Sequence, residues 1–224
     1  MAEYYLLFNL WIYSLLKLYF MNIELKNIKH SPSLSEETEA FTASLYINGK
    51  HAGYAKNAGH GGSTDYYQKD VKGKELIKQA EDHTKSLKKP DDPFINMALE
   101  EKINDLLYEH LQKKDLEKFN KKLAKITDNG IAYGIPNDSY SYFTFNHSIE
   151  KFLNNIEGIE HIKNLIRDKI IPKLGSDKII LNTNIPEKLL LKSGLKKGQY
   201  AQPKTNMTVQ VNLDLNKDQN KRGR

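Results

Sequence analysis

The chain has 224 residues, 39% of them apolar and 28% charged, and its 34 Lys and Arg against 28 Asp and Glu give a net charge of +6. This is the composition of a globular protein long enough to bury a core, and the modest basic excess permits phosphate or nucleic-acid binding without requiring it. With no cysteine present, disulfides, thiolate nucleophiles and cysteine-ligated zinc or iron–sulfur centres are excluded.

The stretch Tyr4–Phe20 is apolar or aromatic apart from Asn9, Ser14 and Lys17. It is short for a membrane helix, which needs about 20 apolar residues, and Met-Ala-Glu is not the basic start of a signal peptide. Three readings of residues 1–20 stand open: upstream DNA read through before a start at Met21, a membrane-contacting helix, or a buried helix. Membrane contact is expected only through this leader. The remainder reads as a cytoplasmic protein with a single domain over 21–215 and a disordered basic tail over 216–224.

Met21–Lys29 alternates Ile23 and Leu25 with charged neighbours and predicts a first strand. Phe41–Ile47 and Lys50–Ala55 flank Asn48-Gly49, the pair suited to the positive φ angles of a two-residue hairpin turn. The hairpin runs into a glycine-rich loop, Lys56 to Tyr67. Apolar spacing predicts a helix over 74–88, closed by Pro90. Asp92-Pro93 signals a new helix start. From there Ile95, Leu99, Ile103, Leu107 and Leu111 form one stripe, continued by Leu116, Phe119, Leu123 and Ile126 after a break near Asp115. Strands are expected at 131–135 and 140–145 around a turn at Pro136–Ser139. Helices are expected at 148–157, with Gly158 as C-cap residue, and at 159–171, ended by Pro172. Ile179–Leu181 reads as a buried strand leading through Asn182–Pro186 to a short helix, and 206–213 as an edge strand. Together these elements predict an α+β fold, one antiparallel or mixed sheet with several helices packed on one face.

The glycine loop is the main candidate site. Gly59, Gly61 and Gly62 could let backbone N–H groups converge on an anion, with Lys56, Asn57, Ser63, Thr64 and Tyr66 around them. It is neither a Walker A loop nor a dinucleotide fingerprint, and the glycines could equally serve only to turn the chain. In an enzymatic version His60 is the general base and Asp65 orients it, giving a phosphoester hydrolase or transferase. Asn182 and Asn184, where a strand hands over to a helix, are placed either to touch a ligand or to cap. The seven histidines show no local metal spacing, so no metal or cofactor is expected. Lys114, Lys118, Lys121 and Lys125 form a basic helix face, readable as a phosphate track or as ordinary solvated surface.

The stretch Leu45-Tyr46-Ile47-Asn48-Gly49-Lys50 followed by Asn57-x-Gly59-x-Gly61-Gly62, together with Ile180–Pro186, resembles a family of proteins of bacteriophages and mobile elements that carries no established activity. The resemblance implies a small accessory protein. The reading that follows is a non-enzymatic binding module holding a phosphate-bearing ligand, a nucleotide or nucleic acid, at the glycine loop. The alternatives are the His60/Asp65 enzyme and an inhibitor that binds a host protein and has no small-molecule site.

Overall fold

The computed structural model describes residues 21–204. The leader over 1–20, the strand expected over 206–213 and the tail over 216–224 lie outside the described residues. The α+β class is borne out, but the strands form two antiparallel sheets, of four and three strands, where one sheet is expected. Correspondingly the chain divides between Lys113 and Lys114 into two compact units, where a single domain is expected.

In the first unit β1 (Ile23–His30), β2 (Phe41–Ile47), β3 (Lys50–Asn57) and β4 (Asp65–Gln68) pair in sequence order. Asn48 and Gly49 take φ of 50° and 75°, as the hairpin turn requires. Alternation along β2 buries Phe41, Ala43, Leu45 and Ile47 on one face and turns Thr42, Ser44 and Tyr46 to the other. The ladder shifts register twice, between Lys26 and Lys29 on β1 and beyond Leu45 on β2, where Leu45 faces Gly53 but Tyr46 faces His51. Each shift restores the alternation after an extra residue. The inner face is covered by α1 (Val71–Ser86) and the first half of α2 (Ala98–Asp128), whose Leu99, Ile103 and Leu107 are buried. Helix α1 begins three residues before the expected start because Asp70 caps it, accepting from the Gly73 amide at 2.8 Å. Gly73 also lets helix and sheet meet, since a Cβ there would lie 2.0 Å from the Ala52 carbonyl oxygen. The break expected near Asp115 is absent; with no Pro or Gly between 98 and 128, nothing interrupts α2.

The second unit has β5 (Gly130–Ile135) between β6 (Ser139–Thr144) and β7 (Ile179–Ile180). Helices α3 (Ile149–Leu153) and α4 (Ile156–Leu165), one π-helical turn (Ile166–Ile170), α5 (Ile171–Leu174) and α6 (Glu187–Lys192) complete it. Its core is rich in isoleucine, including Ile131, Ile149, Ile162, Ile166, Ile170 and Ile180. Gly158 is not the expected C-cap residue: it lies in the first turn of α4 and donates to the N-cap Asn155 at 2.7 Å. A Cβ there would meet the Phe152 carbonyl oxygen at 2.3 Å, so glycine is what allows α4 to start hard against α3. Pro172 does not end the helical run, which continues to Leu174 through the widened turn.

Among the described residues no helix is long and apolar enough to cross a membrane.

Candidate functional site

The glycine segment connects β3 to β4, a strand the sequence reading missed because Asp65–Tyr67 looked like the chemistry of a loop. Of the main-chain donors expected to converge on an anion, those of Gly59 and Gly61 are instead held internally, as is the Thr64 amide beside them. The Gly59 amide donates to Asn57 Oδ1 at 2.8 Å, the Gly61 amide to Thr38 Oγ1 at 3.3 Å, and the Thr64 amide to Glu100 Oε1 at 2.7 Å. The Gly59 carbonyl accepts from the amides of Glu36 and Glu37 at 2.9 and 3.0 Å. Asn57 Nδ2 donates to the Gly62 carbonyl at 2.9 Å, and buried Thr64 donates through its hydroxyl to Asn104 Oδ1 at 2.7 Å. Asn57, Gly59, Gly61 and Thr64 are therefore fastenings of the loop, while Gly62 and Ser63 are exposed at its tip. Carboxylates also crowd it: a Cβ on Gly61 would meet Glu37 Oε2. The spent Gly59 and Gly61 amides and the neighbouring carboxylates count against an anion nest at this loop.

The catalytic pair is corrected too. His60 Nδ1 sits 3.1 Å from Glu36 Oε2, both side chains mostly in solvent at 61% and 70% exposure, whereas Asp65 stands opposite Lys56 at the start of β4. Tyr66 points to the inner face and donates to Glu81 Oε1 at 2.9 Å. Burial first, then Glu81, raises its phenol well above the usual tyrosine range, so Tyr66 is a neutral structural donor rather than a ligand contact.

Asn182 and Asn184 are structural. Asn182 is fully buried; its Oδ1 accepts from the Ala132 amide at 2.8 Å and its Nδ2 donates to the Gly130 carbonyl at 2.9 Å. Asn184 Nδ2 donates to the Thr127 carbonyl in the last turn of α2 at 2.6 Å.

Hollows in the surface offer other places for a ligand. One, about 430 Å³, lies beside the glycine loop in the first unit and includes Thr38, Glu39, Glu100, Asn104 and Tyr108 in its wall. Its two carboxylates oppose a phosphate. A second, about 300 Å³, lies in the second unit between His147, Lys151, Phe152 and His161, with Lys151 Nζ 3.5 Å from each ring nitrogen of His147.

A third opens on the outer face of the first sheet, about 210 Å³ in volume, lined by Asn27, Lys29, Thr42, Ser44, Tyr54, Lys56 and Tyr67 among others. Here the two register shifts matter. They set Lys26 opposite Ser44, Lys29 opposite Thr42, Thr42 opposite Lys56, Ser44 opposite Tyr54 and Tyr54 opposite Tyr67, all on one face. The result is a continuous aromatic row. Tyr46 stacks on His51 with ring centres 5.0 Å apart, His51 meets Tyr54 edge-on at 5.0 Å, and Tyr54 lies 5.5 Å from Tyr67. His51 Nε2 donates to the Gly53 carbonyl at 3.0 Å, which fixes its ring. Lys56 of the expected ligand set belongs to this face, its Nζ 6.0 Å from the Tyr67 ring centre. Sequence reasoning missed the rest, because only the register with its two shifts gathers residues from four strands; the exposed Tyr67 beside the inward Tyr66 was the one local signal.

No family model, curated protein or solved structure matches the chain.

Proposed function

We propose that this protein is a non-catalytic binding module that takes a phosphate-bearing ligand on the outer face of its first sheet, not in the glycine loop. The observation that carries this reading is the pairing of two ammonium groups with two aromatic rings: Lys29 and Lys56 flank the hollow to which Tyr54 and Tyr67 contribute rings. Lysines supply charge for a phosphate, and open tyrosine faces supply a stacking surface for a base. The enzymatic alternative loses its footing, since His60 has no orienting contact with Asp65 and pairs with Glu36 in solvent.

Titration calorimetry with a panel of nucleoside monophosphates tests this. The wild-type protein binds at least one of them at low salt, and Lys29→Gln with Lys56→Gln weakens binding by about tenfold. A wild-type protein that binds neither these nor an oligonucleotide, or binding untouched by the double substitution, removes the proposal.

A further inference from the structure

The aromatic row is longer than one base requires. Its rings come from three strands, and Tyr54 and Tyr67, 37% and 47% exposed, present open faces at its β4 end. At the other end the Lys26 ammonium lies 4.5 Å from the centre of the Tyr46 ring. Lysines stand on both sides, Lys26 and Lys29 from β1 and Lys56 from β3. The acidic residues of this face are Glu24, whose Oε2 is 3.5 Å from Lys26 Nζ, and Asp65, opposite Lys56 on β4. Neither lines the hollow between Lys29 and Lys56. Short polar groups lie within reach of the rings: Asn27 Nδ2 donates to Ser44 Oγ at 3.4 Å, and Thr42 is the cross-strand neighbour of both Lys29 and Lys56.

Resting on the binding reading above, we infer that the ligand is a single-stranded nucleic acid laid across strands β2 to β4. Two successive bases stack on Tyr67 and Tyr54, while Lys29 and Lys56 neutralise the phosphates between. The physical case is one of shape and charge together. A sheet face presents rings at strand spacing, about 4.8 Å, and so offers a series of π-surfaces to bases that are unpaired and free to splay. A duplex hides its base faces in its own stack and has nothing to give these rings. A mononucleotide uses one ring and leaves the others exposed. Stacking of this kind tolerates any base, because every base has a π-face, so the expected binding is weakly selective in sequence and strongly dependent on salt.

Fluorescence anisotropy with labelled oligothymidylate and oligouridylate of about ten nucleotides, compared with thymidine and uridine monophosphates and with a duplex of equal length, provides the test. At least one single strand binds the wild-type chain about tenfold or more tighter than its mononucleotide and than the duplex; whichever sugar binds tighter names the polymer. Tyr54→Leu and Tyr67→Thr, chosen to keep a strand-forming residue at each site, each weaken single-strand binding about tenfold, and Tyr54→Phe and Tyr67→Phe restore it. The affinity falls with salt at a log–log slope of about 1.4 if Lys29 and Lys56 each neutralise one phosphate, and the slope shrinks in the Lys29→Gln, Lys56→Gln variant. Equal binding of strand and mononucleotide, equal binding of duplex, or single-strand binding that survives loss of both tyrosine rings each overturns the inference. If mononucleotides bind and the strand adds nothing, the binding reading stands and this extension falls; if nothing binds, both fall. Thermal melts of every variant accompany the titrations, and the phenylalanine variants decide the matter should a ring-deleted variant unfold.

Discussion

Asn182 extends a strand ladder with its side chain: its Oδ1 accepts from the Ala132 amide at 2.8 Å where β7 has already ended, and its Nδ2 donates to the Gly130 carbonyl at 2.9 Å. Asn182→Leu leaves both backbone groups buried and unpaired. Each such group costs about 1–3 kcal/mol, so the second unit loses about 3 kcal/mol, read as a lower urea midpoint with little change in slope. Asn184→Ala, which frees the Thr127 carbonyl and removes one of the two acceptors of Asn182 Nδ2, costs about 1–2 kcal/mol.

The glycines of the loop are unequal. Gly59 has φ of +92°, and a Cβ there would lie 2.0 Å from the Leu34 carbonyl oxygen, whereas nothing lies within 4 Å of a Cβ on Gly62. Gly59→Ala therefore destabilises by about 2–3 kcal/mol and Gly62→Ala by less than about 0.5 kcal/mol. Thermal melting of the two variants side by side checks the contrast.

Tyr66 makes the first unit sensitive to alkali. Burial and its bond to Glu81 raise the folded-state pKa above the ordinary tyrosine value, so the unfolded chain ionises first. The stabilisation is fully present below the unfolded value of about 10 and is lost as pH rises from there through the folded one. At pH 8 Tyr66→Phe costs about 1 kcal/mol for the lost hydrogen bond, and the gap to wild type narrows as the pH is raised past 10. Melting curves across that range show the convergence.

His60→Ala changes stability by less than about 0.5 kcal/mol, because its partner Glu36 is exposed and the pair is solvated. Under the proposed sheet-face site, nucleotide affinity stays at the wild-type value. Calorimetry on this variant separates the sheet face from the loop: a loop-bound anion next to His60 would bind more weakly once the imidazole is gone.

Much of the local structure was legible. Asn48-Gly49 announces its turn, Asp70 stands as an N-cap four residues ahead of the expected helix start, and Pro136–Ser139 marks the β5–β6 hairpin, with Asn137 at φ of 63°. What could not be read was pairing at a distance. The loop amides are held by Thr38 and Glu100, residues 23 and 36 positions away, and no local pattern reveals that they are spent. The helix runs on past Asp115, where a break is expected, because none of its residues there is a helix breaker. The Lys–Tyr face depends on bulges at Asn27 and Ala52, and a bulge is decided by the partner strand as much as by its own.

The widened turn at 166–170 has its own logic. Ile162, Ile166, Ile170 and Leu174 are all buried, spaced by fours, and in a regular helix each four-residue step overshoots a full revolution by about 40°. Three steps would carry Leu174 about a third of the way round from Ile162. The Ile171 amide instead reaches back five residues to the Ile166 carbonyl, a slower winding that takes up the overshoot. Pro172, which has no amide proton to lose, follows directly. Deleting one residue between 166 and 170 would let a regular helix bring Leu174 to within about 20° of Ile162, so the widened turn accommodates one surplus residue without shifting the aliphatic seam.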